Sequence, residues 1–545
     1  MKTCRQTSLS TKVQPVLQLL PPVGDWLKSC SDWVRWVFTM IGIWRRFPSA
    51  PGLGTAEGNE REAWQTDAAL RTYGCCGETM VTVYTSTYAF HVDLEKLSDS
   101  SEYFRALSQS SMRETTERLV HLDHVPAAVF HNLLEFTFWQ RFQVAQEDLG
   151  AHIQVGSYLQ ARPFISRCLS ALTDCLSPEN CRSYLDLAQE ICCTEMRDTV
   201  YQYLSRRLLE LPHLTRSLGA AVEADLIRLR SQGSRQLCAL RKENLVSGSA
   251  EEDALRQLYS LVGSDEDGDW RGVTALPFTA DKWSFTVAVL YNYLYLIGGY
   301  RHRAKKGYQF KMASFRYNPF THTWVPTAPL IKHRRHFSTA VCDGSIFAVG
   351  GWYLDSLVAP DSSTSLYTAV ERYDPWVDSW AFVASLPLND FSFTMSLSHD
   401  VPLTAALGHY VYVVGTIQRT GETLVLQYDA RRDSWAELLP TLTRADANIP
   451  SLYFLGTTDR LHVIGGNNSE NVVTSFCVES QRWGAVRSLE KVALVGQSSV
   501  LGSDAYIPAV ERNSIMRLNL PSLSAHSLPP LPVSTNYEAL FHLYF

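Results

Sequence analysis

The chain carries 12 cysteines but no C-x-x-C pair, and no Cys/His group has zinc-finger spacing. That removes the common structural zinc sites. Seven of the thiols (Cys75, Cys76, Cys168, Cys175, Cys181, Cys192 and Cys193) fall in one helix-rich stretch, and Cys4, Cys30, Cys238, Cys342 and Cys477 are scattered. They read as reduced thiols of a cytoplasmic or nuclear protein. No membrane span is expected: the first apolar stretch worth testing, Trp36–Trp44, has nine residues and is flanked by Arg35, Arg45 and Arg46, whereas a spanning helix needs about 20. No signal-peptide pattern is clear. Without an export signal, the sequon Asn467-Asn468-Ser469 reads as a chance match. There is no G-x-S-x-G elbow, no phosphate-binding glycine loop and no H-E-x-x-H. Asp265-x-Asp267-x-Asp269 has the beginning of a calcium loop, but Trp270 stands where the turn glycine is needed and no glutamate closes it. The expectation is therefore no enzyme, no cofactor and no metal. A net charge of −6 does not argue for a nucleic-acid partner.

What is present is a multidomain globular chain. Its 545 residues suit two to four domains, and 46% hydrophobic with 19% charged residues allows a sizeable core. Residues 1–66 read as a largely disordered extension holding Trp26, Trp33, Trp36 and Trp44, ending in a Pro/Gly-rich stretch. Residues 67–178 mix strand and helix: Val81–Tyr84 is β-prone, Ser101–Phe104 opens a short helix, and Val125-Pro126 opens another with Val129, Phe130, Leu133 and Leu134 on its apolar face. Residues 146–176 continue as helix with Leu149, Ile153, Leu159 and Leu169 as expected core. Residues 179–246 read as a short helical region, where Met196, Val200, Leu204 and Leu208 recur every four positions as a core stripe. Residues 247–269 read as an acidic linker.

From Trp270 to the end (270–545) a unit recurs about every 50–60 residues. A β-prone run ends at Gly298-Gly299, then Gly350-Gly351, Gly415, and Gly465-Gly466. A second run ends at Tyr317, Tyr373 and Tyr428, and a tryptophan follows within seven residues: Trp324, Trp380 and Trp435, with Trp483 completing the fourth unit. These residues describe a four-stranded blade. Glycines let the crowded backbone bend near an axis, the Tyr–Asn/Asp–Pro triplet turns out of the third strand, and the tryptophan packs between neighbours. One such unit cannot bury both its faces, so several must form a ring. A degenerate fifth unit has Ala505–Pro508 as inner strand. The loose ends, Trp270 with Leu276-Pro277 and Glu538–Phe545, look like two strands of one shared blade. Six blades are expected, the sixth incomplete.

The glycine, tyrosine and tryptophan positions resemble the Kelch repeat. Upstream, Leu97–Leu107 (LSDSSEYFRAL), Met112-Arg113-Glu114, Leu122–Val125 and Leu133–Phe136 resemble the blocks of a BTB domain, with His91 where that family has a core-helix histidine. Asn180-Cys181 and Leu187-Ala188 resemble the start of a BACK domain. The chain is thus similar to the BTB–BACK–Kelch family: an α/β BTB domain, a short helical BACK-like region, and an all-β propeller. The resemblance implies a substrate-recognition adaptor of a cullin-3 ubiquitin ligase, binding cullin-3 through the BTB domain, with a homodimer through that domain as a further expectation. It places the cullin contact on Met112 and Glu114, with Phe136 and Trp139 nearby. The family's acidic residue near the first strand appears as Glu78, and its fold-back tyrosine is replaced within Thr137-Phe138-Trp139. An alternative is a non-degradative cytoskeletal or transcriptional scaffold using the same propeller face. Copper-oxidase propellers need a tyrosine and histidine ligand set, and none stands out around the isolated Cys342 and Cys477.

Charge sharpens the expectation. Between Lys282 and Cys342 stand ten Lys/Arg and no Asp or Glu. Arg301, Arg303, Lys305 and Lys306 lie in the loop from second to third strand of the first blade. Lys332, Arg334 and Arg335 lie in the loop to the next blade. Both loop classes open on one propeller face, so they are expected to bind an acidic or phosphorylated segment of a protein substrate through arginine forks.

Overall fold

A computed structural model describes residues 71–243 and 256–545, apart from 75–76, 78, 111, 266, 279–284, 304–306, 311, 335, 352–367, 388–390, 394–402, 418–419, 421–422, 443–450, 458, 467–469 and 535–536. The extension expected over 1–66, with its Trp36–Trp44 segment, lies outside the described residues, as do Glu78, the sequon at 467–469, Lys305, Lys306 and Arg335. The chain divides into two compact units, one up to Val200 and one from Tyr201 onward.

In the first unit a mixed sheet is built from Arg71–Tyr73, Met80–Thr85, Ala89–Asp93 and Leu119–Leu122. Val81 and Val83 alternate with the polar face of Met80–Thr85 and are buried, the period-two pattern of a half-buried strand. Ser101 starts the helix Glu102–Ser108: its Oγ accepts from Phe104 N and donates to Leu159 O at 2.6 Å. That single hydroxyl caps one helix and ties it to the end of another. Phe104, Phe130, Leu133, Leu134, Ile153 and Leu159 are fully buried. The helical stretch 146–176 is two helices, Leu149–Tyr158 and Arg162–Cys175. In the second of them Cys168 and Leu172, rather than Leu169, are the deeply buried positions. Pro126 is the N-cap of Ala127–Trp139 rather than its first residue. His91 is in the strand Ala89–Asp93, not in a helix.

The second unit opens with the end of Thr194–Arg206, then Pro212–Ser217 and Ala220–Arg230, and continues as six blade sheets, four of four strands and two of five. The first blade runs Thr286–Leu290, Tyr293–Ile297, Ser314–Asn318, Thr323–Thr327, and the second Ser338–Cys342, Ser345–Val349, Val370–Asp374, Ser379–Val383. In the first two blades the glycine pair follows the second strand, the tyrosine lies in the third and the tryptophan in the fourth. Apolar clusters join successive blades, such as Phe347, Val411 and Val413 between the second and third, or Leu455, Ile507 and Leu518 between the fourth and fifth.

Closure differs from the expectation in two respects. The sixth blade is a complete four-stranded sheet, with Tyr537–Tyr544 innermost, then Arg235–Glu243, Gln257–Val262 and Asp269–Ala275. The ring therefore begins at Arg235. The last part of the region expected to be helical is the strand Arg235–Glu243, and within the stretch expected to be a linker Gln257–Val262 and the first residue of Asp269–Ala275 are strand. They stay extended because their ladder partners are the C-terminal strand and one another.

Candidate functional site

Strand direction fixes which loops share a mouth. In every blade the first strand runs away from the mouth and the second returns to it, so the second-to-third loops and the loops between blades emerge together. The first blade shows this at its roots. Gly298, at the end of the second strand with φ +66, is packed so that a Cβ would lie 3.1 Å from Phe337 and 3.6 Å from Leu330, both in the loop to the next blade. Only glycine combines that backbone conformation with that approach.

The two basic segments leave from these roots. Arg301 and Arg303 lie in a two-stranded ribbon, Tyr300–Arg303 paired antiparallel with Gly307–Phe310, so this loop is a hairpin rather than irregular. In the loop between blades Lys332 is exposed and Ile331 is 46% exposed. Arg334 does not belong with them. It is 0% exposed, donates to Gly350 O at 2.9 Å and Ala369 O at 3.1 Å, and pairs with Glu371, also 0% exposed. Glu371 further accepts from Ile331 N at 2.7 Å and Lys332 N at 3.3 Å. This carboxylate thus holds the loop down on the second blade, and Arg334 is a structural residue that cannot reach a ligand. Sequence reading missed Glu371. The signal was its place two residues before the repeat tyrosine, facing the one cation of the loop that is buried among the described residues.

The repeat residues perform a second task. Tyr373 Oη donates to Asp378 at 2.7 Å, and Asp378 accepts from Ala328 N at 2.9 Å while Trp380 Nε1 donates to Ala328 O at 3.0 Å. Tyr428, Asp433 and Trp435 treat Ala384 identically, at 2.6, 2.8 and 2.7 Å. The aspartate and tryptophan of one blade therefore take both backbone groups of a residue in the blade before it. In the first blade His322 replaces the aspartate and bonds Tyr317 at 3.0 Å. Trp324 Nε1 there has no hydrogen-bond partner among the described residues.

The face opposite the mouth carries the helical segment. Arg230 donates to Tyr291 O, Asn292 O and Asn318 Oδ1, groups in the turns on the far side of the first blade. The mouth is thereby left as the face not occupied by this unit's own helices.

In the first unit Met112 is the N-cap of the short helix Arg113–Glu117, makes no side-chain cap bond, and is 49% exposed, with Glu114 exposed beside it. Phe136 and Trp139 come from the last turn of Ala127–Trp139. Phe136 is half-buried, its ring 5.7 Å from Phe164 and 6.3 Å from Phe142. Trp139 is 48% exposed and packs at 4.9 Å on Tyr73. Burial beside Glu135 pushes the Tyr73 hydroxyl up to about 12. Among the described residues no group of three or more His, Cys, Asp or Glu could hold a metal ion, and no helix is long and apolar enough to cross a membrane. The Cys168 and Cys342 thiols are raised by burial, to about 12 and about 11, which makes them poor nucleophiles.

Comparison with known proteins covers both units. The BTB/POZ domain model matches residues 79–176, from the strand Met80–Thr85 through the helix Arg162–Cys175. The Kelch motif model matches 333–387, the second blade with its Arg334–Glu371 pair. The chain is 28% identical over 407 residues to Kelch repeat and BTB domain-containing protein 13 of Homo sapiens, covering 72% of this chain and 78% of that protein. It is 23% identical over 462 residues to Kelch-like protein 26 of Mus musculus, covering 76% and 70%. To Kelch domain-containing protein 7A of Mus musculus it is 26% identical over 269 residues, 49% of this chain and 30% of that protein.

Proposed function

Because this chain belongs to the BTB–Kelch family, we propose that it is a substrate-recognition adaptor of a cullin-3 ubiquitin ligase. Its BTB unit binds the cullin and its propeller mouth binds a protein substrate. The observation that carries the reading is Met112: an apolar side chain left 49% exposed at a helix start, with Glu114 two residues on in the first turn. A methionine so placed inserts into an apolar pocket at low conformational cost, and Glu114 supplies a polar contact at the pocket rim. Trp139 extends this surface. Phe136 contributes through its packing on Phe142 and Phe164 rather than by direct contact. A homodimer through the BTB unit brings two propellers to one ligase.

The substrate site is the mouth of the first blade. Arg301 and Arg303 stand on the hairpin, and Lys332 is exposed on the neighbouring loop. Lys305, Lys306 and Arg335 complete the basic sequence, and no acidic residue lies between Lys282 and Cys342. The ligand of such a surface is an acidic or phosphorylated segment, bound by charge-assisted hydrogen bonds. The common root at Gly298, Leu330 and Phe337 supports this reading. A non-degradative scaffold would use the same mouth without the cullin contact, and the internal packing of Phe136 favours it. Pull-down of cullin-3 by the wild-type chain but not by a Met112→Ala/Glu114→Ala variant separates the two. Equal recovery by both would overturn the adaptor reading.

A further inference from the structure

Two residues grip the C-terminal strand from other blades, one through its carboxamide and one through its backbone. At its end, Asn292 lies in the turn between the first two strands of the first blade, at φ +56. Its Nδ2 donates to Tyr544 O at 2.9 Å and its Oδ1 accepts from Tyr544 N at 2.8 Å. The amide thus pairs with a peptide group of the sixth blade as a neighbouring strand would. Near the strand's start, Gln497 precedes the fifth blade. Its backbone N donates to Glu538 O at 2.9 Å and its O accepts from Leu540 N at 2.8 Å. Its side chain reaches the first blade, Nε2 donating to Val287 O at 2.9 Å and Oε1 accepting from Val287 N at 3.4 Å. The fifth, sixth and first blades are joined through this one residue. The aspartate staple is missing at this junction, since His322 stands in its place and Trp324 Nε1 is unpartnered among the described residues.

The Asn292 turn is itself held from outside the ring. Arg230, the last residue of Ala220–Arg230, is 0% exposed. It donates to Asn292 O at 3.1 Å, Tyr291 O at 2.6 Å, Ser205 O at 2.6 Å and Asn318 Oδ1 at 3.2 Å. Its guanidinium lies 3.7 Å from the centre of the Tyr293 ring. Tyr293 Oη in turn donates to Glu210 at 2.6 Å. One planar fork therefore spans the helical segment, the first-to-second turn and the third-to-fourth turn of the first blade. Tyr291 and Asn292 both have positive φ, a costly conformation for residues with side chains, which persists only where the surroundings fix it.

We propose that Arg230 is a positioning residue for ring closure. By fixing the Tyr291–Asn292 turn it sets the Asn292 carboxamide against Tyr544, so the helical segment is a working part of the closed propeller and not a spacer in front of it.

Hydrogen–deuterium exchange on the full chain tests this, read on peptides covering 537–545 with the second-blade strands as internal control. Asn292→Ala and Arg230→Met should each speed exchange of the C-terminal strand by about tenfold or more, leaving the second blade unchanged, because local opening is what such exchange reports. The double variant should exchange no faster than Asn292→Ala alone, since both act through one clamp. Arg230→Lys keeps the charge but loses the fork, and should also accelerate exchange. It decides the matter if Arg230→Met does not fold. Wild-type exchange of 537–545 in the Arg230 variants, independent summed effects in the double variant, or no acceleration by Asn292→Ala would each overturn the proposal.

Discussion

Arg334 donates to the carboxylate of Glu371, 37 residues further on, and both side chains are fully buried. Each partner has further bonds: the guanidinium also bonds carbonyls of the second blade, and the carboxylate also takes the amides of Ile331 and Lys332. Removing one partner strands the other charge in the interior, at a cost of about 3–5 kcal/mol. Arg334→Ala should therefore lower unfolding stability by about that amount. Lys332→Glu, two residues away but exposed, should stay within about 0.5 kcal/mol of wild type. Denaturant unfolding of the two variants checks the contrast.

The proposed ligand surface makes a separate prediction. Glutamate at Arg301, Arg303 and Lys332 together should reduce substrate capture by at least about tenfold, since each lost charge-assisted bond is worth about 1.5–3 kcal/mol. Wild-type capture should also weaken with salt as exposed charges are screened. Quantitative proximity labelling with wild type and the triple variant measures the first effect, and pull-down across a salt series the second. Arg334 is excluded from the variant because its loss acts on the fold.

His542 sits in the innermost strand of the sixth blade, 3.0 Å from Ser499 Oγ and edge-on to Tyr506. Burial, aided by the nearby Arg235 charge, lowers its pKa from 6.5 to about 4. The folded ring holds the neutral ring form and the unfolded chain gains the proton first. Its stabilising contribution is therefore complete above pH 6.5 and is lost as pH falls from there toward 4. The loss at the acid end is about 3 kcal/mol. His542→Gln should flatten the stability profile between those values while leaving the rest of the curve in place. An unchanged slope would contradict the assignment.

Asp433 accepts from both Tyr428 Oη and Ala384 N, and these two bonds hold its carboxyl below the usual value. Its contribution is present above the unfolded pKa near 4 and is lost as pH falls through the lower folded value. Asp433→Ala removes both bonds and puts a Cβ-only residue at φ +51, so a destabilisation of about 1–2 kcal/mol is expected. Asp433→Asn keeps an acceptor and tolerates the backbone, and should lose less. Thermal unfolding of the two variants at neutral pH distinguishes them.

Much of the ring was legible because its residues are constrained one by one. Gly298 needs a left-handed backbone, Tyr373 and Tyr428 need an acceptor five positions on, and Trp380 and Trp435 need the blade before them. Each constraint is local and repeats, so it marks the sequence. The strand Arg235–Glu243 was not legible, since its partner Tyr537–Tyr544 lies at the opposite end of the chain and the helices before it set the local pattern. The charge run around Lys332 and Arg334 reads as one surface. The fold divides it, because the carboxylate that draws Arg334 inward arrives only with the next blade. Asn292 and Gln497 carry no sequence signal either: a carboxamide that imitates a peptide group is recognisable only when the peptide beside it is in place.

In the proposed function the BTB unit binds a cullin while the propeller holds another protein. Isothermal titration of purified full-length chain with the cullin-3 N-terminal region is the most direct test, run with wild type and with Met112→Ala/Glu114→Ala. Both positions are exposed, so the variant should fold as wild type does. Wild-type binding with a loss of at least about 2 kcal/mol in the variant, the scale of an interface hot spot, is the predicted result. No binding by the folded wild-type chain, or equal binding by the variant, would contradict it.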